Sequence, residues 1–231
     1  MLLEALRTEV LEANLEIVRR GLVLYTFGNA SGVSREHDLI VIKPSGVPYE
    51  NMSAADLVIT DLEGRVVEGS LRPSSDLATH AALYRAFPSI GGVVHTHSRH
   101  ATAWAQACRE IPCFGTTHAD YFCGGVPVTA PLSAEEIAGD YESNTGAAIL
   151  RVMEGRDPLG CPAVLVAAHA PFCWGRTVSD AAHNAVVVEE LAAMAWQTLT
   201  INPSVEEISS ALRDKHYSRK HGPKATYGQV K

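Results

Sequence analysis

The sequence predicts an α/β domain from three observations: an amphipathic repeat at the N-terminus, short β-rich runs broken by turn signals, and later apolar strands alternating with helices. One domain is the expectation for 231 residues, a length that buries a sizeable core. Leu3, Leu6, Val10, Ala13 and Ile17 recur at helical spacing, with Glu4, Arg7, Glu12, Glu16 and Arg19 between them. Residues 2–20 therefore form the first helix, and Gly21 stops it. From there to residue 68, the runs LVLYTF, LIVIK, LVIT and RVVEG are separated by GNASG, PSG and LEG, which reads as antiparallel strands joined by turns. Ser74, Ser75 or Asp76 caps a helix that reaches Ala86. GGVVHTH then reads as a strand and RHATAWAQAC as the helix after it. A strand at VPVT, a helix opening at Ser133, a buried strand at AVLVAAH and a long helix from Ser179 to about Thr200 complete the pattern. The last twenty residues are the least regular.

Composition narrows the function classes. Lys and Arg number 19 against 26 Asp and Glu, and the resulting charge of −7 argues against a general nucleic-acid binder. The tail is locally basic, with Arg213, Lys215, Arg219, Lys220, Lys224 and Lys231 against Asp214, but beyond Tyr217 and Tyr227 it lacks the interleaved aromatics that an RNA-binding segment uses. An apolar share of 46% against 19% charged residues describes a globular chain, not a disordered one. No apolar stretch approaches the roughly 20 residues of a membrane span. The N-terminal segment mixes Glu and Arg into its apolar residues, unlike a secretory signal, so a cytoplasmic protein is expected. Five cysteines form an odd set without a CxxC pair, which points to free, mostly buried thiols.

Several residues have types and spacings suited to catalysis. On a strand, residues two apart share a face, so His95 and His97 present two imidazoles side by side. His169 closes the strand AVLVAAH, and the three can converge where neighbouring strands end. Three imidazoles suit zinc, and manganese or cobalt less selectively; separate polar residues at strand ends remain the plain alternative. Asp76 is either a helix N-cap or a carboxylate beside a metal. The segments GNAS (28–31), KPSG (43–46) and RPSS (72–75) offer backbone N–H groups and small hydroxyls of the kind that hold phosphate, and they equally suit ordinary turns.

TFGNAS, KPSG, RPSSDLATH, VVHTHSRHATAWA, TTHADYF, HAPFCWG and the ending KHG…YGQ together resemble the class II sugar-phosphate aldolase and adducin-head family, and within it the L-ribulose-5-phosphate 4-epimerases. The likeness covers nearly the whole chain. It implies a three-layer α/β/α fold with a central, mainly antiparallel sheet, in one domain spanning residues 1–231. It also implies a homotetramer with active sites between subunits, and a tail from about residue 213 to 231 that reaches a neighbour. By motif, His95, His97 and His169 match zinc ligands, and Asp76 a further ligand or near-metal carboxylate. Gly28, Asn29, Ser45, Gly46, Ser74 and Ser75 match a substrate phosphate site, with Lys43 beside it. Asp120 and Tyr227 match an acid/base pair, and His216 lies on the tail that approaches the neighbour's site. Two departures are local: Ala170 stands where the family has Gly, and TFGNASG where it has TxGN(V/I)SA.

The implied reaction fits these parts. The C4–H of a ketose phosphate is not acidic towards the C2 carbonyl, so C4 inverts by breaking and re-forming the C3–C4 bond. A Lewis-acid metal stabilises the enediolate, the phosphate anchors the aldehyde fragment while it turns, and each face of C4 needs its own proton carrier. A class II aldolase of the L-fuculose-phosphate type would instead release the fragments, but the Asp at position 76 and the THADY and YGQ elements favour the epimerase. A non-catalytic adducin-like scaffold would have lost the histidines, which are all present.

Overall fold

The computed structural model describes residues 2–222 and 225–226. In chain order these form helix α1 (Glu4–Arg19), strands β1 (Asn29–Ser34), β2 (Leu39–Ile42), β3 (Val58–Asp61) and β4 (Val66–Glu68), helix α2 (Leu77–Ala86), strand β5 (Gly92–His95) and helices α3 (Arg99–Gln106), α4 (Thr116–Ala119), α5 (Ala134–Ala138) and α6 (Tyr141–Met153). Strands β6 (Ala163–Leu165) and β7 (Pro171–Gly175) and helices α7 (Val178–Ile201) and α8 (Ser210–His221) follow. The sheet order is β4-β3-β2-β1-β5-β7-β6, and every adjacent pair is antiparallel.

Alternation along β1 builds the three layers. Ser31 turns to α2, where its hydroxyl meets His80 and Tyr84. Gly32 turns the other way, under α1 and α7: a Cβ there would lie 2.6 Å from Val178 Cγ2 and 2.8 Å from Leu6 Cδ1. Helix α1 buries Val10, Ala13 and Ile17 against the sheet, and α6 packs on α2, with Gly146 letting it approach Ala82. Arg7, expected among the polar positions of α1, is buried and donates to the carbonyls of Leu2, Ala54 and Leu57 and to Glu68.

Five expectations need correction. LVLYTF is loop, leaving Leu24, Tyr25 and Phe27 exposed, while GNASG, which looks like a turn, supplies most of β1 because two helices demand small residues above it. VPVT is not a strand: Val126 and Val128 make isolated bridges only, and Pro127 has no N–H for a ladder. AVLVAAH stops being a strand at Leu165, and Ala168 adopts a left-handed φ of 59° in the turn before β7. The GGVVHTH strand ends at His95. Finally, the tail is not irregular: residues 210–221 form α8, opened by the Ser209 side chain accepting from the Leu212 amide. Helix α6, which no signal marked, starts where Asp140 accepts from the Ser143 amide. The five cysteines are free, as expected, and no described helix is long and apolar enough to cross a membrane.

Helix α7 starts directly over the sheet. A Cβ on Gly92 would lie 2.4 Å from Val178 Cα, and one on Gly175 would lie 2.7 Å from the Ala181 amide nitrogen. Gly92→Ala should therefore cost about 1–3 kcal/mol by overpacking against backbone, seen as a lower urea midpoint at unchanged slope; an unchanged midpoint would mean that α7 is not pinned there.

Candidate metal centre

His95 ends β5 and is fully buried, its ring stacked on Phe172, its ladder partner on β7, at 4.2 Å between centroids. Its Nδ1 lies 3.0 Å from the Pro171 carbonyl. A carbonyl only accepts, so Nδ1 carries the proton and the Nε2 lone pair faces away from the core. His97 lies beyond the strand, so chain direction after β5, not strand alternation, brings its Nε2 to 3.2 Å from that of His95. His169 sits in the β6–β7 turn just after left-handed Ala168, with its ring 4.9 Å from that of His95 and 5.0 Å from that of His97. One ligand nitrogen from each of the three lies within 4.8 Å of the others, and exposure rises from buried His95 through half-buried His169 to exposed His97. The cluster thus opens to solvent on one side, as a metal that binds substrate requires.

Protonation suits a cation. Burial pushes His95 down to about 4 and also lowers His97 and His169, so at neutral pH the imidazoles are uncharged donors of lone pairs. Asp76 occupies the N-cap position of α2 but does not cap it. Its carboxylate accepts instead from Asn29 Nδ2 at 2.6 Å and interacts electrostatically with His95, His80 and His169. Burial opposes its ionisation, but those neighbours outweigh burial and hold Asp76 below the usual carboxylate range. Three neutral nitrogens with a carboxylate beside them fit zinc and its divalent relatives.

Of the expected anion-binding residues, Gly28, Asn29 and Ser74 lie next to this cluster. Gly28 has φ 94°, and a Cβ there would lie 2.7 Å from the His95 carbonyl, so only glycine lets this loop pass the centre. The KPSG and RPSS turns run side by side: the Ser45 amide donates to Arg72 O, and the Ser74 amide to Lys43 O. Asn29 Nδ2 also lies 3.0 Å from Ser74 Oγ, which joins β1 to that turn. Gly46 turns the chain at φ 69°, and Ser75 stays exposed. Lys43 faces inward: its ammonium is buried, bonded to the carbonyls of Pro44 and Val47 and set 4.7 Å over the Tyr49 ring, and burial brings it down to about 8.

Asp120 and His216 form a different group. Asp120 follows α4, and its carboxylate accepts from His216 Nδ1 at 3.1 Å and Arg219 Nη2 at 2.9 Å, with Lys220 Nζ at 3.7 Å. All three partners are on α8 of the same chain. Burial works against the Asp120 charge, but Arg219 and His216 prevail and keep its carboxyl below the ordinary value. Tyr227 lies outside the described residues. Three neighbours were missed in the sequence. Tyr141 puts its hydroxyl 3.4 Å from His169 Nδ1, Tyr49 donates to the Gly28 carbonyl, and Phe27 sets its ring 6.3 Å from that of His97. No sequence signal marks the tyrosines, and Phe27 was hidden in a run read as a strand.

Residues 8–196 match the class II aldolase and adducin N-terminal domain. Among solved structures, an L-fuculose 1-phosphate aldolase is 24% identical, with a TM-score of 0.79 over 93% of this chain and 95% of that one. YgbL of Klebsiella pneumoniae, whose description leaves aldolase, epimerase and decarboxylase open, is 23% identical with a TM-score of 0.73, covering 91% and 97%. The L-fuculose-1-phosphate aldolase of Thermus thermophilus is 23% identical with a TM-score of 0.68, covering 88% and 98%. At these identities the likeness is one of fold.

If the three histidines hold a metal, His97→Asn should lose it while the fold survives, because an exposed ligand is not part of the core. Elemental analysis with circular dichroism checks this; full metal content in the variant would refute the ligand set.

Proposed function

The chain belongs to the class II aldolase and adducin N-terminal domain family, and on that basis we propose that it interconverts L-ribulose 5-phosphate and D-xylulose 5-phosphate by breaking and re-forming the C3–C4 bond. The observation that carries the reading is the three-histidine cluster lying beside Asp76, Asn29 and Ser74. His95, His97 and His169 would hold zinc, or manganese or cobalt in its place, with Asp76 as further ligand or adjacent carboxylate. A bound divalent cation supplies Lewis-acid stabilisation of negative charge developing on the ketose oxygens.

The chain's own residues do the rest. Gly28, Asn29, Ser45, Gly46, Ser74 and Ser75 hold the phosphate, and the buried Lys43 ammonium lies behind them. That grip keeps the aldehyde fragment in place while it presents its other face. Asp120 and Tyr227 take and return the proton of the C4 oxygen, one on each face. Asp120 is held on α8 by His216 and Arg219, and in a homotetramer a neighbouring subunit would complete the site, with His216 at the same junction. The phosphorylated substrate sets the enzyme in the cytoplasm. An aldolase that releases its fragments is the second reading, and product analysis separates the two: recovered D-xylulose 5-phosphate marks the epimerase, while dihydroxyacetone and glycolaldehyde phosphate accumulating together without it mark the aldolase.

Losing one hydrogen bond to a charged group costs roughly 1.5–3 kcal/mol, so Asn29→Ala should raise KM for L-ribulose 5-phosphate by about ten-fold or more. Equal turnover of unphosphorylated L-ribulose would refute the phosphate site.

Tyr227→Phe or Asp120→Asn should depress epimerisation by about 10²–10⁴-fold yet retain condensation of dihydroxyacetone with glycolaldehyde phosphate to a single C4 epimer. Co-assembled Tyr227→Phe and His97→Asn chains should regain partial activity, because some junctions then combine an intact metal site with an intact tyrosine. Failure to complement rules out the shared site, and wild-type turnover by Tyr227→Phe rules out its catalytic role.

A further inference from the structure

His80 lies beside the metal centre and has no part in the mechanism above. It is completely buried on α2, one helical turn after Asp76, so the two side chains share a face. Its Nδ1 lies 2.7 Å from Ser31 Oγ, which lies 2.8 Å from the Tyr84 hydroxyl. Its Nε2 is buried without a hydrogen-bond partner in the protein. The ring meets Phe172 edge-on at 5.9 Å, and Phe172 in turn is stacked on His95. His80 also interacts electrostatically with both Asp76 and His95.

These contacts have a direction. Ser31 has one hydroxyl proton to give, and Tyr84 has another. When Tyr84 donates to Ser31, Ser31 donates to Nδ1, and the neutral imidazole carries its proton on Nε2. Asp76, one turn earlier on the same helix face, is the negative charge with which the ring interacts. A buried N–H left without an acceptor is costly, and an oxygen bound at the neighbouring centre would relieve that cost.

We propose that His80 is a positioning residue for the metal centre: the buried Tyr84–Ser31–His80 chain fixes its tautomer, Nε2–H serves the oxygen atoms gathered at Asp76, and its packing on Phe172 holds His95 in place. The inference rests on the metal reading above. Partners of this kind, one step behind the ligands, change metal affinity about 10–100-fold when removed.

The test is cobalt titration of the chelator-stripped full-length chain, following visible absorption and competition with a chromogenic chelator. His80→Phe and Ser31→Ala should each bind cobalt about 10–100-fold more weakly and show an altered visible spectrum. His80→Gln, whose amide nitrogen can stand in for Nε2–H, should recover most of the affinity. A role in packing alone reverses that order, since Phe keeps the apolar volume and Gln does not; Phe binding better than Gln overturns the proposal. So does wild-type affinity in both His80→Phe and Ser31→Ala, and if His80→Phe does not fold, Ser31→Ala decides alone. Equally weak cobalt binding by wild type and His97→Asn would defeat the metal reading and this inference together. Tight wild-type binding with unaffected variants defeats only the inference.

Discussion

A 2.6 Å hydrogen bond from the Asn29 amide to the Asp76 carboxylate joins the central sheet to the helix layer above it, and the candidate site is arranged around that junction. Asn29 opens β1 opposite His95 in the ladder, and Asp76 stands just before α2. A carboxylate drawn out of solvent needs partners. Asn29 supplies one, and the same amide reaches Ser74 in the turn that precedes the helix. One side chain thus registers a strand, a turn and a helix against the end of β5. Exchanging Asp76 for an apolar residue would leave the Asn29 amide with Ser74 as its remaining side-chain partner.

The three histidines were legible because their residue type is rare and their spacing short, although the strand that was to align them stops two residues too early, at His95. The chain after His95 reaches the same result by another path. GNASG was misread for a physical reason: smallness and turn chemistry look alike in sequence, and here Gly32 is small because α1 and α7 cross it. The exposed LVLYTF loop shows the converse, since apolar residues next to a binding site mimic a strand. His80 had a usable signal in its spacing of four from Asp76 on one helix. Tyr49 and Tyr141 had none, because a lone aromatic in sequence says nothing about which carbonyl or imidazole its hydroxyl will find.

Helix α8 was illegible for a related reason. A helix predicted from apolar periodicity must bury an apolar face, and α8 buries no residue fully. Asp120 holds it through His216 and Arg219, and Tyr217 sets its hydroxyl close to Gly160. Charge complementarity between distant segments leaves no local pattern to read.

That mode of attachment divides the molecule into two tiers of cooperativity. Elements packed in an apolar core open at a free-energy cost near that of the whole domain, whereas a helix fastened by ion pairs, with no fully buried residue, is expected to open locally. The fastening also answers to solution conditions that leave the core untouched. Added salt screens it. Because the Asp120 carboxyl is held below its ordinary value, its contribution is present above the usual carboxylate range and fades as acid protonates it. The helix that carries His216 is thereby open to control by the medium in a way that the apolar core is not.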